Sequence, residues 1–271
     1  MQHVQRFARN KNGRDFVVGD IHGCYDQVWE AMRAVDFKPE ADRLFSLGDL
    51  LDRGPGSRRV RRFLEQPYVR AIRGNHDDEF VQLYAEGVPD DRVLQAYMNV
   101  IGDSNGMSWW LDVPHDERLQ IVSRLARLPY VIELQTARGL VGLVHAEVPI
   151  GWDWATFTAR ISAGDEYATK SATWGRKRAE RGDDSGVHGI DRMFVGHKIH
   201  AAPRRLGNVF YIDTGAFVSV LDPGREGHLT IADVAASTEV LTAAPMLKGP
   251  HVAAVTEQVN PDRPFGDYVA R

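Results

Sequence analysis

Short runs rich in β-branched residues, most of them ending in a polar turn that contains glycine, constrain how this chain can fold. Eight such runs predict strands, at residues 16–20, 44–49, 69–75, 130–136, 140–146, 191–197, 209–215 and 229–234. Helix candidates follow the early runs, whereas residues 130–136 and 140–146 are close enough to form a hairpin. Alternating strands and helices, followed by paired strands, predict an α/β protein whose sheets are not purely parallel.

Two segments lack such patterns. Residues 151–190 are predicted to be a loop region, and residues 236–271 are predicted to be an extended tail or an added cover. We see no linker that would separate two domains. We therefore expect one domain over residues 1–235 and a C-terminal extension, residues 236–271, that packs on this domain or trails from it.

Composition limits the classes of partner. The 271 residues are 43% hydrophobic, which is enough for the core of one large domain, and the net charge of -4 gives no basic field for nucleic acid or an anionic membrane. No run approaches the roughly 20 apolar residues that cross a bilayer, and the polar N-terminal segment lacks the apolar centre of a signal peptide. The single cysteine, Cys24, allows no intrachain disulfide, so we expect a cytoplasmic protein.

Polar residues stand at the ends of five predicted strands, several of them beside a glycine. They are Asp20, His22, Asp49, Asp52, Asn75, His76, His145 and His197. Ligands of open α/β sheets bind at the carboxyl ends of strands, so we expect these side chains to form one site.

The residue types indicate metal chemistry. Carboxylate, imidazole and amide oxygen, without thiolate, disfavour a structural zinc site and favour Mn, Fe or Zn in a catalytic role. Six candidate ligands are too many for one ion with open positions, but they suit two ions that share a carboxylate. Arg53 and Arg73 stand beside these ligands in the sequence and are suited to bind phosphate oxygens. The pattern favours a site for phosphate esters.

Several ordered blocks resemble a known family. The segments GDIHG (19–23), GDLLDRG (48–54) and RGNHD (73–77) resemble the signature blocks of the phosphoprotein phosphatase family of calcineurin-like metallophosphoesterases. VHAEVP (144–149), TWGR (173–176), VGHKIH (195–200) and YIDTGA (211–216) resemble its later elements. The HAEVP form, with DSNGMSWW (103–110), is most similar to the bacterial and bacteriophage-lambda serine/threonine protein phosphatases. The resemblance spans about residues 14–235.

This resemblance implies a calcineurin-like fold of two mixed β-sheets sandwiched between helices, with the catalytic domain over residues 1–235. It also implies hydrolysis of phosphomonoesters, foremost phosphoserine and phosphothreonine in proteins. Two divalent metal ions are implied, with Mn favoured and Fe or Zn as alternatives. A hydroxide that bridges them would attack phosphorus directly, without a phosphoenzyme.

Site roles follow from the same resemblance. The implied metal ligands are Asp20, His22, Asp49, Asn75, His145 and His197. His76 would be the general acid for the leaving oxygen, oriented by Asp52. The implied phosphoryl-binding residues are Arg53, Arg73 and Arg176.

The expected partner is a phosphorylated protein or a small phosphoester, with no nucleic acid, membrane or regulatory subunit. Two alternatives stay open. One is a hydrolase of dinucleoside polyphosphates, such as Ap4A, or of another small nucleotide. The other is a non-catalytic protein that binds phosphorylated partners, which predicts loss of a metal ligand or of His76, and the sequence has lost none of these.

A few positions depart from the family or have a structural interpretation. Lys198 stands where threonine is common, and Asp77 stands where glutamate is common. His200 lies one residue beyond the usual spacing of a second ligand, so we expect that it does not bind metal. Asp213 is expected to serve turn structure, and Cys24 to serve packing.

Overall fold

The computed structural model describes residues 2–242, 246–247 and 251–256, which form four layers. Two mixed β-sheets face each other, and helices cover the outer face of each sheet. The predicted fold class, two mixed sheets between helices, is confirmed. Within the described ranges, none of the helices combines the length and the apolar character needed to span a bilayer.

The first sheet has six strands among the described residues. Their order is β1 (Val4–Phe7), β5 (Val131–Thr136), β6 (Gly139–Val144), β7 (Arg192–Val195), β9 (Val209–Tyr211) and β8 (Arg204–Leu206). β5 and β6 form the predicted antiparallel hairpin. β6, β7 and β9 run parallel, so the carboxyl ends of β6 and β7 lie at the same edge of the sheet.

The second sheet has seven strands within the described ranges. Its path is β12 (Met246–Leu247), β13 (Val252–Val255), β11 (His228–Asp233), β2 (Asp15–Val18), β3 (Arg43–Ser46) and β4 (Val69–Ala71), and β10 (Asp213–Thr214) pairs with β11. β2, β3 and β4 run parallel. Their carboxyl ends therefore bring the first three polar sequence blocks to one edge.

The α-helices, in chain order, are α1 (Tyr25–Ala34), α2 (Val60–Leu64), α3 (Asn75–Leu83), α4 (Asp91–Tyr97), α5 (Asp103–Asn105), α6 (His115–Leu125), α7 (Trp154–Ser162), α8 (Glu166–Trp174), α9 (Lys177–Arg181), α10 (Val218–Leu221) and α11 (Thr238–Thr242). Short 3₁₀ segments occupy Ser57–Arg59 and Ser108–Asp112, and a π-helical turn occupies Met98–Gly102. Apolar faces of α1, α2, α3 and α6 cover the second sheet, and α7, α8 and α9 cover the first.

Successive side chains of a strand point to opposite faces of its sheet, so the core is divided into a part between the sheets and parts beneath the helices. In β2, Val17 faces the space between the sheets, whereas Phe16 and Val18 face the helical layer. Phe45 of the second sheet and Phe194 of the first meet in the same inter-sheet cluster, and both are fully buried. Burial of each such side chain contributes about 1.5–3 kcal/mol, so this cluster holds the two sheets, and with them the two halves of the site, together.

The prediction of a loop region over residues 151–190 is wrong, because α7, α8 and α9 occupy most of that segment. Trp154, Phe157 and Ile161 lie at i, i+3 and i+7 on the buried face of α7, against the first sheet. Gly164 follows α7 and Gly175 follows α8. Each helix is short, so its amphipathic pattern extends over only a few residues. The short strand β1 was also not predicted; it pairs with β5.

The structure describes part of the C-terminal extension. β13 lies within the second sheet and runs parallel to β11, with Ala254 opposite Ile231. β12 pairs with β13 at the end of the sheet path. Residues 257–271 of the extension lie outside the described residues.

Candidate active site

The candidate site lies where the carboxyl ends of strands from both sheets meet. Loops after β2, β3 and β4 carry the first three polar blocks, and β6 and β7 of the other sheet are followed by one histidine each. All six candidate metal ligands are buried; they are Asp20, His22, Asp49, Asn75, His145 and His197.

Asp49 is central to this arrangement. Its Oδ2 lies 3.4 Å from Nε2 of His22, its Oδ1 lies 3.5 Å from Nε2 of His145, and Oδ1 also accepts a hydrogen bond of 3.0 Å from the backbone N–H of His76. Burial on its own raises the pKa of this carboxyl. Interaction with the surrounding histidines, His145 foremost, outweighs burial and holds the pKa of Asp49 below its ordinary value.

The backbone at Gly74 lies close to Asp49, and the missing side chain of this glycine leaves room for the Asp49 carboxylate. The backbone of Asp49 is left-handed, with a φ of 47°. A Cβ at Gly74 would lie 2.2 Å from Asp49 Oδ1, so any side chain at Gly74 would displace the carboxylate. The glycine of the RGNHD block is therefore required by packing against a site residue.

Two clusters of potential ligand atoms share Asp49. Atoms of His22, Asp49 and His76 lie within 4.8 Å of one another, and so do atoms of Asp49, His145 and His197. These are the clusters of three or more such groups found in the described part of the chain. Two neighbouring clusters with one common carboxylate are the arrangement that a pair of cations needs.

The contacts of His145 indicate a cation in this second cluster. Its Nδ1 lies 2.7 Å from the carbonyl oxygen of Leu47, so the ring proton is on Nδ1 and Nε2 carries the lone pair. That lone pair faces Oδ1 of Asn75 at 2.9 Å as well as Asp49. Burial lowers the pKa of His145, which opposes a second ring proton. Acceptor atoms that converge without a proton between them fit a bound metal ion.

His197 and Asn75 complete this side of the site. Oδ1 of Asn75 lies 2.9 Å from Nδ1 of His197, and Nε2 of His197 accepts a hydrogen bond of 2.9 Å from Nε of Arg176. Burial, with His145 nearby, lowers the pKa of His197 to about 3, so the ring is neutral, with its proton on Nδ1 and the lone pair of Nε2 facing Arg176. Arg176 itself is exposed at the mouth of the site.

Asp20 lies near the clusters but in neither of them. Its carboxylate accepts hydrogen bonds of 3.2 and 3.0 Å from the backbone N–H of His197, which joins the two sheets. Burial, together with the charges of Asp213 and Asp49, raises the pKa of Asp20 well above its ordinary value. Its assignment as a metal ligand with His22 stays a prediction.

Asp213 is a buried site carboxyl that the sequence interpretation assigned to turn structure alone. It does accept a turn hydrogen bond of 2.9 Å from the N–H of Gly215. It is also 3% exposed, burial raises its pKa to about 7, and its charge acts on Asp20. The available signal was its position at a strand end beside a glycine, the same pattern that marked the other site residues.

His76 and Asp52 form a buried pair. Nδ1 of His76 lies 2.8 Å from Oδ2 of Asp52, and the indole N–H of Trp109 donates to the other carboxylate oxygen, Oδ1, at 2.8 Å. Burial raises the pKa of Asp52 to about 6. Burial favours the neutral ring of His76. The negative charges of Asp49 and Asp52 outweigh burial and raise the pKa of His76.

Arg53 spans the first cluster. Its Nη1 lies 3.0 Å from Nε2 of His22 and its Nη2 lies 3.0 Å from Nε2 of His76. The guanidinium stacks 4.5 Å above the ring of Phe217. A half-buried cation at this place is positioned for an anionic group that enters the site.

The guanidinium of Arg73, predicted to bind a phosphoryl group, contacts protein groups in the structure. Its guanidinium donates to Oδ1 of Asp78 at 2.9 Å, to the hydroxyl of Tyr130 at 3.1 Å and to the carbonyl of Ala126 at 2.6 Å. These contacts tie α3 to the segment before β5. Arg73 is almost fully buried in this network, whereas Arg53 is half-buried and Arg176 is exposed.

Lys198 and His200, the two departures in the VGHKIH block, are both half-buried. Lys198 lies directly after His197. The ring of His200 packs edge-on against Tyr211, 5.4 Å between centroids, and His200 belongs to neither cluster of potential ligands among the described residues.

Comparison with known proteins agrees with this architecture. Residues 16–135 match the family model described as calcineurin-like phosphoesterase. The chain is 29% identical over 240 residues to serine/threonine-protein phosphatase 1 of Salmonella typhimurium, covering 86% of this chain and 98% of that protein. It is 28% identical over 207 residues to serine/threonine-protein phosphatase 2 of Escherichia coli, covering 74% and 87%. The symmetrical bis(5'-nucleosyl)-tetraphosphatase of Serratia proteamaculans is 33% identical over 162 residues, covering 58% of this chain and 50% of that protein.

Solved structures have the same fold. A putative diadenosine tetraphosphatase superposes with a TM-score of 0.54 at 21% identity, covering 87% of this chain and 95% of that one. A cold-active protein-tyrosine phosphatase from a Shewanella species gives a TM-score of 0.52 at 15% identity, covering 86% and 78%. In agreement with the ordered sequence blocks and the paired clusters, residues 16–135 of the chain carry a calcineurin-like phosphoesterase domain.

Proposed function

We propose that the chain is a dinuclear metal-dependent phosphatase that hydrolyses phosphomonoesters, foremost phosphoserine and phosphothreonine in proteins. The observation that carries this proposal is the pair of ligand clusters that share Asp49, in the first of which His76 is held by Asp52. Support also comes from the Salmonella and Escherichia coli relatives, which are named as serine/threonine-protein phosphatases and align over most of their length.

Two cations fit the donor set, in which imidazole nitrogen, carboxylate and amide oxygen occur without thiolate. The residues proposed to hold the first are Asp20, His22 and Asp49, and those proposed for the second are Asp49, Asn75, His145 and His197. We favour Mn²⁺, with Fe or Zn as alternatives. When bound, such a pair would supply Lewis acidity and an activated water for attack on phosphorus.

His76 is the proposed general acid. Its Nδ1 is held by Asp52, which leaves Nε2 directed toward the side of the site that holds Arg53 and His22. The raised pKa of His76 increases the fraction that carries the proton needed by the leaving oxygen. Hydrolysis is proposed to be direct: burial raises the pKa of the Cys24 thiol to about 12, so it is no nucleophile near neutral pH.

Arg53 and Arg176 are the proposed phosphoryl-binding groups. Each contacts a histidine of a different ligand cluster, so one guanidinium group lies beside each cluster. Planar guanidinium groups match the oxygens of a phosphoryl group. Arg73 is left out of this set because its guanidinium lies in the network with Asp78 and Tyr130.

We further propose that residues 1–235 form the catalytic domain, since every proposed site residue falls there. The extension from residue 236 would support this domain by adding β13 to the second sheet. A cytoplasmic location fits the single cysteine. No regulatory subunit is needed to complete the proposed site.

A second candidate is hydrolysis of dinucleoside polyphosphates. The observation that favours it is the 33% identity to the Serratia symmetrical tetraphosphatase, over half the length of that protein. The same ligand clusters would serve both reactions, and the difference would lie in what the rim of the site accepts.

A substrate panel tests the proposal. The enzyme is stripped with a chelator, reconstituted separately with Mn²⁺, Fe²⁺, Zn²⁺ or Mg²⁺, and assayed on phosphoserine and phosphothreonine peptides and on Ap4A. We expect kcat/KM for the best phosphopeptide to exceed that for Ap4A by about tenfold or more, with Mn²⁺ most effective. A preference for Ap4A under every metal would replace the first proposal with the second.

A further inference from the structure

Asp52 has a second hydrogen-bond partner besides His76. The carboxylate is fully buried, and its Oδ1 accepts a 2.8 Å hydrogen bond from the indole N–H of Trp109 while its Oδ2 faces Nδ1 of His76, also at 2.8 Å. Both oxygens are thus occupied by donors from different segments of the chain. A carboxylate held at both oxygens cannot rotate without losing a hydrogen bond.

We propose that Trp109 is a positioning residue for the hydrolytic reaction: it fixes the carboxylate of Asp52 so that Asp52 holds His76 in the orientation that delivers a proton to the leaving oxygen. This inference rests on the proposed function, because it requires His76 to be the proton donor. Trp109 itself does not touch the reacting groups; it acts through Asp52.

The backbone around Asp52 requires support from outside. Asp52 and Arg53 both have left-handed backbone conformations, with φ of 73° and 64°, which cost energy for residues other than glycine. The segment that carries Trp109 also holds Arg53, whose N–H donates to the carbonyl of Gly106 at 3.1 Å. A Cβ at Gly106 would lie 2.7 Å from the Arg53 nitrogen, so the two segments are in close contact.

The indole of Trp109 is itself held in place. Its ring packs edge-on against Trp110, 5.3 Å between centroids, and is tilted against Phe80 of α3 at 6.0 Å. Phe80 and Trp110 are fully buried. Because α3 also carries His76, the indole, the carboxylate and the imidazole are linked through one packed unit.

Loss of the indole hydrogen bond has a specific chemical consequence. Without it, Oδ1 of Asp52 would be a buried acceptor with no donor, and the carboxylate would gain freedom to turn. The imidazole of His76 would then be oriented less well. Proton delivery matters most when the leaving group is a poor one, so the loss of rate should depend on the leaving group.

The test compares two substrates, p-nitrophenyl phosphate and a phosphoserine peptide, with the Mn²⁺-reconstituted full chain. Trp109→Phe removes the N–H and keeps an aromatic ring. We expect kcat for the phosphoserine peptide to fall about tenfold and kcat for p-nitrophenyl phosphate to change less than about twofold, with KM little changed. His76→Asn serves as the reference and should give the same selectivity with a larger loss, about a hundredfold or more.

Trp154→Phe is the matched control, because the indole of Trp154 also donates to a buried carboxylate, Oε1 of Glu133 at 2.7 Å, which belongs to neither ligand cluster. It should change both substrates by less than about twofold. A double-mutant cycle separates the positioning role from a folding defect, because a folding defect of Trp109→Phe would lower activity on any background. If Trp109 acts through Asp52, Trp109→Phe should cause no further loss on an Asp52→Ala background.

Equal losses on both substrates for Trp109→Phe, or an undiminished loss on the Asp52→Ala background, would overturn the positioning role and leave the proposed function intact. Equal losses on both substrates for His76→Asn would instead remove the general-acid assignment on which the inference rests. The two failures are therefore separable.

Discussion

Asp49 is the residue on which both ligand clusters depend, because it is the only member that they share. Asp49→Asn keeps the shape of the side chain and removes one negative charge from between the two groups of histidines. We expect this variant to lose at least one of two bound metal ions per chain and to have no measurable turnover. Metal content is measured by mass spectrometry of the dialysed protein and turnover with p-nitrophenyl phosphate.

Asp42→Asn is a matched control for Asp49→Asn. Asp42 is also a buried aspartate, but it lies at the opposite end of β3, where it accepts hydrogen bonds from Arg14. It should retain metal content and turnover. Full activity of Asp49→Asn in buffer replete with metal would contradict the role of Asp49 as the shared ligand.

Single residues also mark where sequence interpretation succeeds and where it fails. Asp49, Asn75 and His145 were predicted to lie together because each follows the carboxyl end of a strand, and the structure brings them together although His145 follows a strand of the other sheet. Arg73 stands beside the same ligands in the sequence, yet its long side chain turns toward Asp78 and Tyr130. A residue next to a ligand in the sequence has its Cα near the site. A long side chain such as that of arginine can still turn away, because its direction depends on partners that only folding brings near.

At the scale of elements, the start of α3 is fastened to the loop after β3 by Asp77. Its Oδ2 accepts from the N–H of Gly74 at 2.9 Å and its Oδ1 accepts from the N–H of Leu50 at 3.0 Å, and Asp77 is fully buried. Asp77→Ala leaves both amide groups buried without an acceptor. We expect the free energy of unfolding to fall by about 2–4 kcal/mol, measured by urea denaturation in the presence of a chelator so that metal binding does not contribute.

Asp90→Ala gives the comparison for Asp77→Ala. Asp90 also accepts from two backbone N–H groups, those of Arg92 and Val93, as the N-cap of α4, but it is exposed. Water can replace an exposed cap, so we expect a loss of about 1 kcal/mol. If the two variants lose the same stability, the buried link between α3 and the loop after β3 is not the source of the effect.

The elements differ in how well their sequences specify them. Strands such as β2 and β3 are buried on both faces and carry adjacent apolar residues, Phe16 to Val18 in β2 and Leu44 and Phe45 in β3, which is why they were predicted within a few residues. α7 and α8 span nine residues each and end near glycines, so each shows only about two and a half turns of amphipathic pattern. An amphipathic pattern over so few residues is hard to distinguish from the sequence of a polar loop unless the sheet that the helix packs against is known.

At the scale of the whole molecule, the sheets are assembled from distant segments. β1 pairs with β5 across more than a hundred residues, and β2 pairs with β11 across more than two hundred. Local periodicity contains no information about such partners, so the strand order could not be derived from it. The family resemblance supplied the two-sheet architecture, and the pairing of β13 within the second sheet was predicted by neither source.

This assembly concentrates acidic groups at one place in the fold. Five aspartates with 3% exposure or less surround the site, namely Asp20, Asp49, Asp52, Asp77 and Asp213. Burial raises the pKa of most of them, and the charges of Asp213 and Asp49 raise that of Asp20 further. Without a bound cation, the native state is destabilised by burial of these carboxyl groups close to one another. Cations that bind the folded site therefore stabilise the whole molecule.

The consequence is a melting temperature that depends on metal. At a free Mn²⁺ concentration about a hundred times the dissociation constant, linkage adds about 2.7 kcal/mol, which for a chain of this size raises Tm by about 5–10 °C over the chelated protein. Calorimetry with and without chelator measures the shift. Asp49→Asn should lose at least half of it, because the shared ligand is gone, whereas Asp42→Asn should keep it. A Tm unaffected by Mn²⁺ would mean that the buried carboxylates are neutralised by shared protons instead of metal, since burial alone already favours the protonated forms.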